Sequence, residues 1–250
     1  MNVGVRTAAT RDVLGVAVRP LTRPQAIQEV EDTISVGGHR RYAFLNAHGA
    51  NLAFVDPDFR EILGHFDVLP DGIGVDLASR YVQGNPFPAN LNGTDFVPTL
   101  LREARRPLRV ALLGAAPGVA ERAARRLTER HRRHRFVALH HGYFDEETRQ
   151  RLLSSLEANP ADLLLVAMGN PVQERFIAEH VREEHAHVVM GVGALLDFMS
   201  SASPRAPRWL RRVRAEWAYR LWREPRRLWR RYLLGNPLFL WRVARYGKRG

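Results

Sequence analysis

The chain is 250 residues long, carries a formal net charge of +12 and contains no cysteine. That length buries a full core as one large domain or two small ones. The lack of cysteine excludes a disulfide frame, a thiolate nucleophile and a Cys-ligated metal, and it fits a reducing compartment.

The elements alternate along the chain. The polar first twelve residues and the short run VLGVAV (13–18) fall short of a signal-peptide core. An amphipathic segment near 22–36 precedes a strand at YAFLNA (42–47), and another at 49–64 precedes FDVLPD (66–71). Segments at 73–83 and 94–105 lead to RVALLGA (109–115), 118–133 to RFVALHHG (135–142), 145–158 to ADLLLVAMG (161–169) and 171–185 to HVVMGVGALLDF (187–198). That spacing predicts an α/β fold, a Rossmann-like, doubly wound, mostly parallel sheet with helices on both faces. No run reaches eighteen apolar residues, so no membrane-spanning helix is expected.

Nearly every predicted strand ends in small or polar residues: Asn46 and His48, Asp71-Gly72, Gly114 to Gly118, Gly142-Tyr143, Gly169-Asn170, and finally Gly191, Gly193 and Asp197. Carboxyl ends of parallel strands are where such sheets bind ligands, so these residues are expected to line one cleft.

Each motif has a structural reading beside the functional one. VALLGAAPGVAERAARRL (110–127) is strand, Gly-rich turn and helix, in which Gly114 and Gly118 let backbone approach an anion at the helix N-terminus. The spacing is not GxGxxG, and a plain tight turn explains it equally. Asp71 after Pro70 suits a general base and suits a helix N-cap as well. In MGNPVQERFI (168–177), Asn170 fits an N-cap, Pro171 the first helical position and Gln173 a capping box; a ligand role for Gln173 at the cleft is the alternative. DPD at 56–58 reads as a turn rather than an Asp-x-Asp metal site, and the ten histidines show no ligand spacing.

Charge marks a boundary at 204/205. Residues 1–204 hold 23 Arg, no Lys and 24 acidic residues, whereas 205–250 hold 14 Arg, Lys248, two acidic residues and all five tryptophans. The expected organisation is therefore a neutral body, 1–204, and a basic appendage, 205–250. Arg with Trp, Tyr and Leu at helical spacing suits an interfacial helix on anionic lipid. It also suits single-stranded nucleic acid, though no nucleic-acid motif supports that, or arginines that close over a diphosphate.

In order, FLNAHGANLAFVDPDF, LPDGIGV, NLNGTDF, LLGAAPGVAERAA, HGYF, VAMGNPVQERFI, GVGALLDF, SPRAP and EWAYRLWREPRRLWRRY resemble the WecG/TagA/CpsF bacterial glycosyltransferases, over about residues 13 to 245. The resemblance implies a Rossmann-like body and an appendage that docks on the inner face of the cytoplasmic membrane and completes the site. It further implies an inverting transfer from a UDP-sugar to a polyprenyl-diphosphate-linked sugar, with no metal or other cofactor required. Carried over by motif, Asp71 is the base, Gln173 contacts the donor side, Asn46 is the Asn of a T-x-N motif and Asp197 ends the GVG segment. Arg220, Arg227 and Arg230 would offset charge on departing UDP.

Phe44 stands where that T-x-N motif has Thr. NLNGTDF and FLNAH look closer to the exopolysaccharide branch, which adds glucose, than to the teichoic-acid branch, which adds N-acetylmannosamine. With the resemblance, the ligand role of Gln173 is preferred over the cap. Two other readings stay open: a non-enzymatic nucleotide- or nucleic-acid-binding module with a basic tail, and a hydrolase of nucleotide-sugars. Homo-oligomerisation is left open too.

Overall fold

The computed structural model describes residues 9–201, 206 and 216–246, so the expected boundary at 204/205 lies outside the described residues. The chain opens with an antiparallel hairpin of β1 (Arg11–Val13) and β2 (Val16–Val18). Leu14 and Gly15 turn it at φ 55° and 86°, the left-handed pair of a type I′ turn. Leu14 is not a residue that signals this conformation, and the hairpin was not expected from VLGVAV.

Six parallel strands follow: β3 (Arg40–Leu45), β4 (Asp67–Pro70), β5 (Arg109–Gly114), β6 (Arg135–His140), β7 (Ala161–Ala167) and β8 (Ala186–Gly191). Their order across the sheet is β4-β3-β8-β7-β5-β6, every pairing parallel. The chain thus moves from β3 outward to β4 at one edge and from β5 outward to β6 at the other. Between these opposed exits the carboxyl ends open a crevice.

Alternation along the strands builds two apolar layers. On β7, Leu163, Leu165 and Ala167 join the layer containing α1 (Arg23–Ser35), α5 (Gly93–Glu103), α6 (Val119–Arg130) and α9 (Leu195–Ser200). Leu164 and Val166 join the other layer, with α2 (Ala47–Val55), α3 (Pro57–Leu63), α4 (Ile73–Gln83), α7 (Glu146–Ala158) and α8 (Val172–His180). The predicted doubly wound α/β architecture is what forms, because strands buried on both faces are apolar throughout.

Two predicted segments are divided differently. The single segment at 49–64 is two helices, broken where Asp56 precedes Pro57; Asp56 is extended and caps α3 through Phe59 N–H, 3.0 Å, as a residue before proline favours. The run 187–198 leaves the sheet at Gly191 and becomes helical at Leu195. Asp197 therefore does not close a strand but lies in the first turn of α9.

Within 216–246 the basic segment is mostly helical: α10 (Glu216–Arg223), α11 (Pro225–Trp229), a π turn at Arg230–Leu234 and α12 (Gly235–Tyr246). α12 is part of the core. Phe239 and Val243 are buried with the α2–α4 layer, and the Phe239 ring packs beside Gly74, 3.6 Å from where a Cβ would stand. Asn51 on α2 donates to Gly235 O at 2.8 Å and accepts from Arg242 at 2.8 Å, whose guanidinium lies 4.7 Å from the Phe54 ring centroid. Among the described residues, no helix is long and apolar enough to cross a membrane.

Candidate active site

Two cavities open at the carboxyl ends of the strands, of about 460 and 810 Å³. Asn46, His48, Asp71, Thr94 and Arg231 line both. The smaller is walled by Asn90, Asn92 and Asp95 and by residues of α4 and the C-terminal helices. The larger runs along the ends of β5, β7 and β8, past Ala115, Ala116, Gly169, Gln173, Gly193 and Asp197, to Arg230 and Arg242.

Asp71 follows β4, and its N–H donates to Leu45 O at 2.8 Å. Its carboxylate accepts from Asn46 Nδ2 at 3.3 Å. The Asn46 amide cannot turn around freely, because Oδ1 caps α2 by accepting from His48 and Gly49 N–H, both at 3.1 Å. An N-cap that uses its oxygen on the helix presents its NH₂ outward, so the cap fixes a donor on the candidate base. Beyond Asp71, Gly72 at φ 92° donates to Asn90 Oδ1 at 3.0 Å. His48 stands beside this pair; burial first, and then Arg231, push its imidazole down to about 4. It is neutral at pH 7.

Gln173 is buried and holds two loops together. Its Oε1 accepts from Gly169 N–H at 3.2 Å and from Gly193 N–H at 2.9 Å, while Nε2 donates to Glu174 Oε1 at 2.7 Å. The expected capping arrangement is corrected here: Pro171, not Asn170, is the N-cap of α8, with no side-chain capping bond, and the Asn170–Pro171 peptide is cis. Asn170 instead donates to Glu174 Oε1 at 2.6 Å. Glu174 is fully buried and burial pushes its carboxyl up to about 7; its Oε2 has no hydrogen-bond partner among the described residues. Gly191 leaves space for this amide, since a Cβ there would stand 2.9 Å from Gln173 Nε2.

The other expected site residues are distributed unevenly. Gly114 and Gly118 do not line either cavity; Ala115 and Ala116 between them line the larger one. Gly114, at φ 119°, lets β5 and β7 meet closely, for a Cβ would fall 2.4 Å from Ala167 O. Gly118, at φ 79°, is the N-cap of α6. Asp197 lines the larger cavity, and so does Arg230, which is exposed and lies 5.3 Å from the Trp229 ring. Arg220 and Arg227 lie within α10 and α11, but their side chains are outside the described residues. Phe44 lines the larger cavity and packs on Phe96 at 6.2 Å; Gly93 opposite it has no side chain to spare room for, a Cβ there reaching 3.3 Å from the ring.

Sequence reasoning did not single out Arg231 or Arg242. Glu174 was signalled only as the second member of the Gln-Glu pair, and Arg231 as one arginine in an Arg-Arg step. Among the described residues one group, Glu157, Glu184 and His185, could hold a metal ion. It lies at the end of α7 and the amino end of β8, across the sheet from both cavities.

The family description "Glycosyl transferase WecG/TagA/CpsF family" is matched by residues 11–250. Relatives include the N-acetylglucosaminyldiphosphoundecaprenol N-acetyl-beta-D-mannosaminyltransferases of Staphylococcus aureus strains MRSA252 and MW2. Each is 29% identical over 238 residues, covering 94% of this chain and 92% of the relative. The match runs through both cavities and the C-terminal helices that complete them, and the chain belongs to the WecG/TagA/CpsF glycosyltransferase family.

Proposed function

We propose that this enzyme transfers a hexose from a UDP-sugar to a polyprenyl-diphosphate-linked sugar, with inversion, in cell-surface polysaccharide synthesis. The observation that carries the reading is Asp71 in the wall common to two cavities, its carboxylate held by Asn46. A transferase needs one base that reaches an acceptor in one site and faces a donor in another, which a binding module does not.

The acceptor hydroxyl lies in the smaller cavity and the UDP-sugar in the larger. Asp71 takes the hydroxyl proton, the oxygen attacks the anomeric carbon, and the carbon–oxygen bond to the diphosphate breaks from the opposite side. UDP leaves with its charge offset by guanidinium groups. Arg230 and Arg231 line that cavity, and fixed cations facing a developing anion stabilise it. Arg220 and Arg227, from the family pattern, belong to the same set. No metal takes part in this reading.

The exposed Trp222, Trp229 and Trp241 on the basic helices support docking on the anionic inner face of the membrane. The relatives act with N-acetylmannosamine and a diphosphoundecaprenol acceptor by name, so the donor panel is UDP-N-acetylmannosamine and UDP-glucose.

The test is UDP release from each donor in EDTA, with and without a short-chain polyprenyl-diphosphate-N-acetylglucosamine acceptor. Acceptor-dependent release from one donor is expected. Release without acceptor identifies a hydrolase, and release that needs added metal contradicts the arginine account.

A further inference from the structure

The smaller cavity is polar at one end and apolar at the other. Asn46, Asp71 and Asn92 form the polar end, whereas Ile73, Leu77 and Leu240 line the side made by α4 and α12. A third cavity, an open groove of about 580 Å³, continues past that side and shares Leu77 and Leu240 with it. Its remaining walls are Arg80, Tyr81, Val243 and Ala244. Ile73, Leu77 and Tyr81 are four residues apart on α4, so they form one stripe, and they are 41%, 45% and 57% exposed. A contiguous apolar stripe left in water beside a polar site marks a surface that is covered in use.

We propose that the groove between α4 and α12 holds the isoprenoid chain of the acceptor. The inference rests on the lipid-linked acceptor of the preceding subsection. The occupant follows from continuity: a sugar hydroxyl at Asp71 belongs to a molecule whose other end is a hydrocarbon chain, and the cavity that holds Asp71 runs into an apolar groove. Arg231, the arginine of the smaller cavity's wall, faces the diphosphate between the two ends. The first isoprene units then lie on protein, and the rest of the chain continues into the bilayer.

The test is photolabelling of the full-length chain, without vesicles, by a benzophenone-bearing farnesyl diphosphate, followed by peptide mapping. The label is expected within 73–83 or 235–246 and is competed by unmodified farnesyl diphosphate. Leu77→Glu combined with Leu240→Glu lowers it roughly tenfold, as the loss of one or two buried methylene contacts does, while UDP binding by the variant shows that it is folded. Label confined to 216–234, label that is not competed, or no label at all overturns the proposal. The probe carries no sugar and needs no transfer, so a chain that labels as expected but transfers nothing refutes the glycosyltransfer reading and leaves the groove standing.

Discussion

At the scale of single residues, Asn46 links the helix cap to the candidate base. Asn46→Asp keeps an oxygen for the α2 cap, where Asp and Asn serve equally, but it sets a second carboxylate about 3.3 Å from Asp71. A like charge disfavours ionisation, so the base stays protonated to higher pH. The acid limb of the kcat/KM profile is expected to move up by at least about one unit, with stability little changed; an unmoved limb contradicts the pairing.

Glu174 carries the opposite lesson, in stability. Its carboxyl is pushed up to about 7 in the folded chain by burial, above the usual value of about 4.3 in an unfolded one. The protonated form is favoured by folding, so this contribution is fully present below about pH 4 and is lost as pH rises through about 7. Glu174→Gln is expected to remove that loss, roughly 4 kcal/mol across the window, measured by denaturant unfolding at several pH values. An equal slope in wild type and variant contradicts it. Sequence showed the Gln-Glu pair and the strand end before it; it did not show that Gln173 Oε1 joins Gly169 to Gly193, because those contacts depend on where β8 ends.

At the scale of elements, the sheet was legible because a strand covered on both faces must be apolar at every position, and such runs stand out between turn residues. Asp56 was legible in part: it breaks the helical segment and caps α3, with an ion pair to Arg175 at 2.8 Å, while Pro57 and Asp58 belong to that helix rather than to a turn. Gly114 was not, since a glycine needed because a Cβ would fall 2.4 Å from Ala167 O has the same letter as one needed for a phosphate. Nor did sequence reveal that α12 belongs to the core, because its Arg and Trp content masks two inward positions. Phe239→Ala is expected to lower stability by about 3–5 kcal/mol, since Phe239 is fully buried. A change below about 1 kcal/mol would mean that the helix does not pack there. Removal of the whole appendage therefore exposes core, and substitutions at its surface are the cleaner probe of its role.

At the scale of the molecule, charge and aromatic residues are concentrated on the C-terminal helices, which also wall the two cavities. The proposed membrane docking surface and the walls of the site thereby belong to one segment. Trp222→Glu with Trp241→Glu, both exposed, is expected to release the enzyme from anionic vesicles in sedimentation while leaving the melting temperature nearly unchanged. Vesicle binding at the wild-type level would place the docking surface elsewhere.

The central claim is that Asp71 serves both cavities as the base, and it is tested most directly by Asp71→Asn in a single-turnover assay of sugar transfer. A loss of about 10²–10⁴-fold, with UDP-sugar affinity and melting temperature close to wild type, is expected. Transfer at a rate near that of the unmodified enzyme would contradict it.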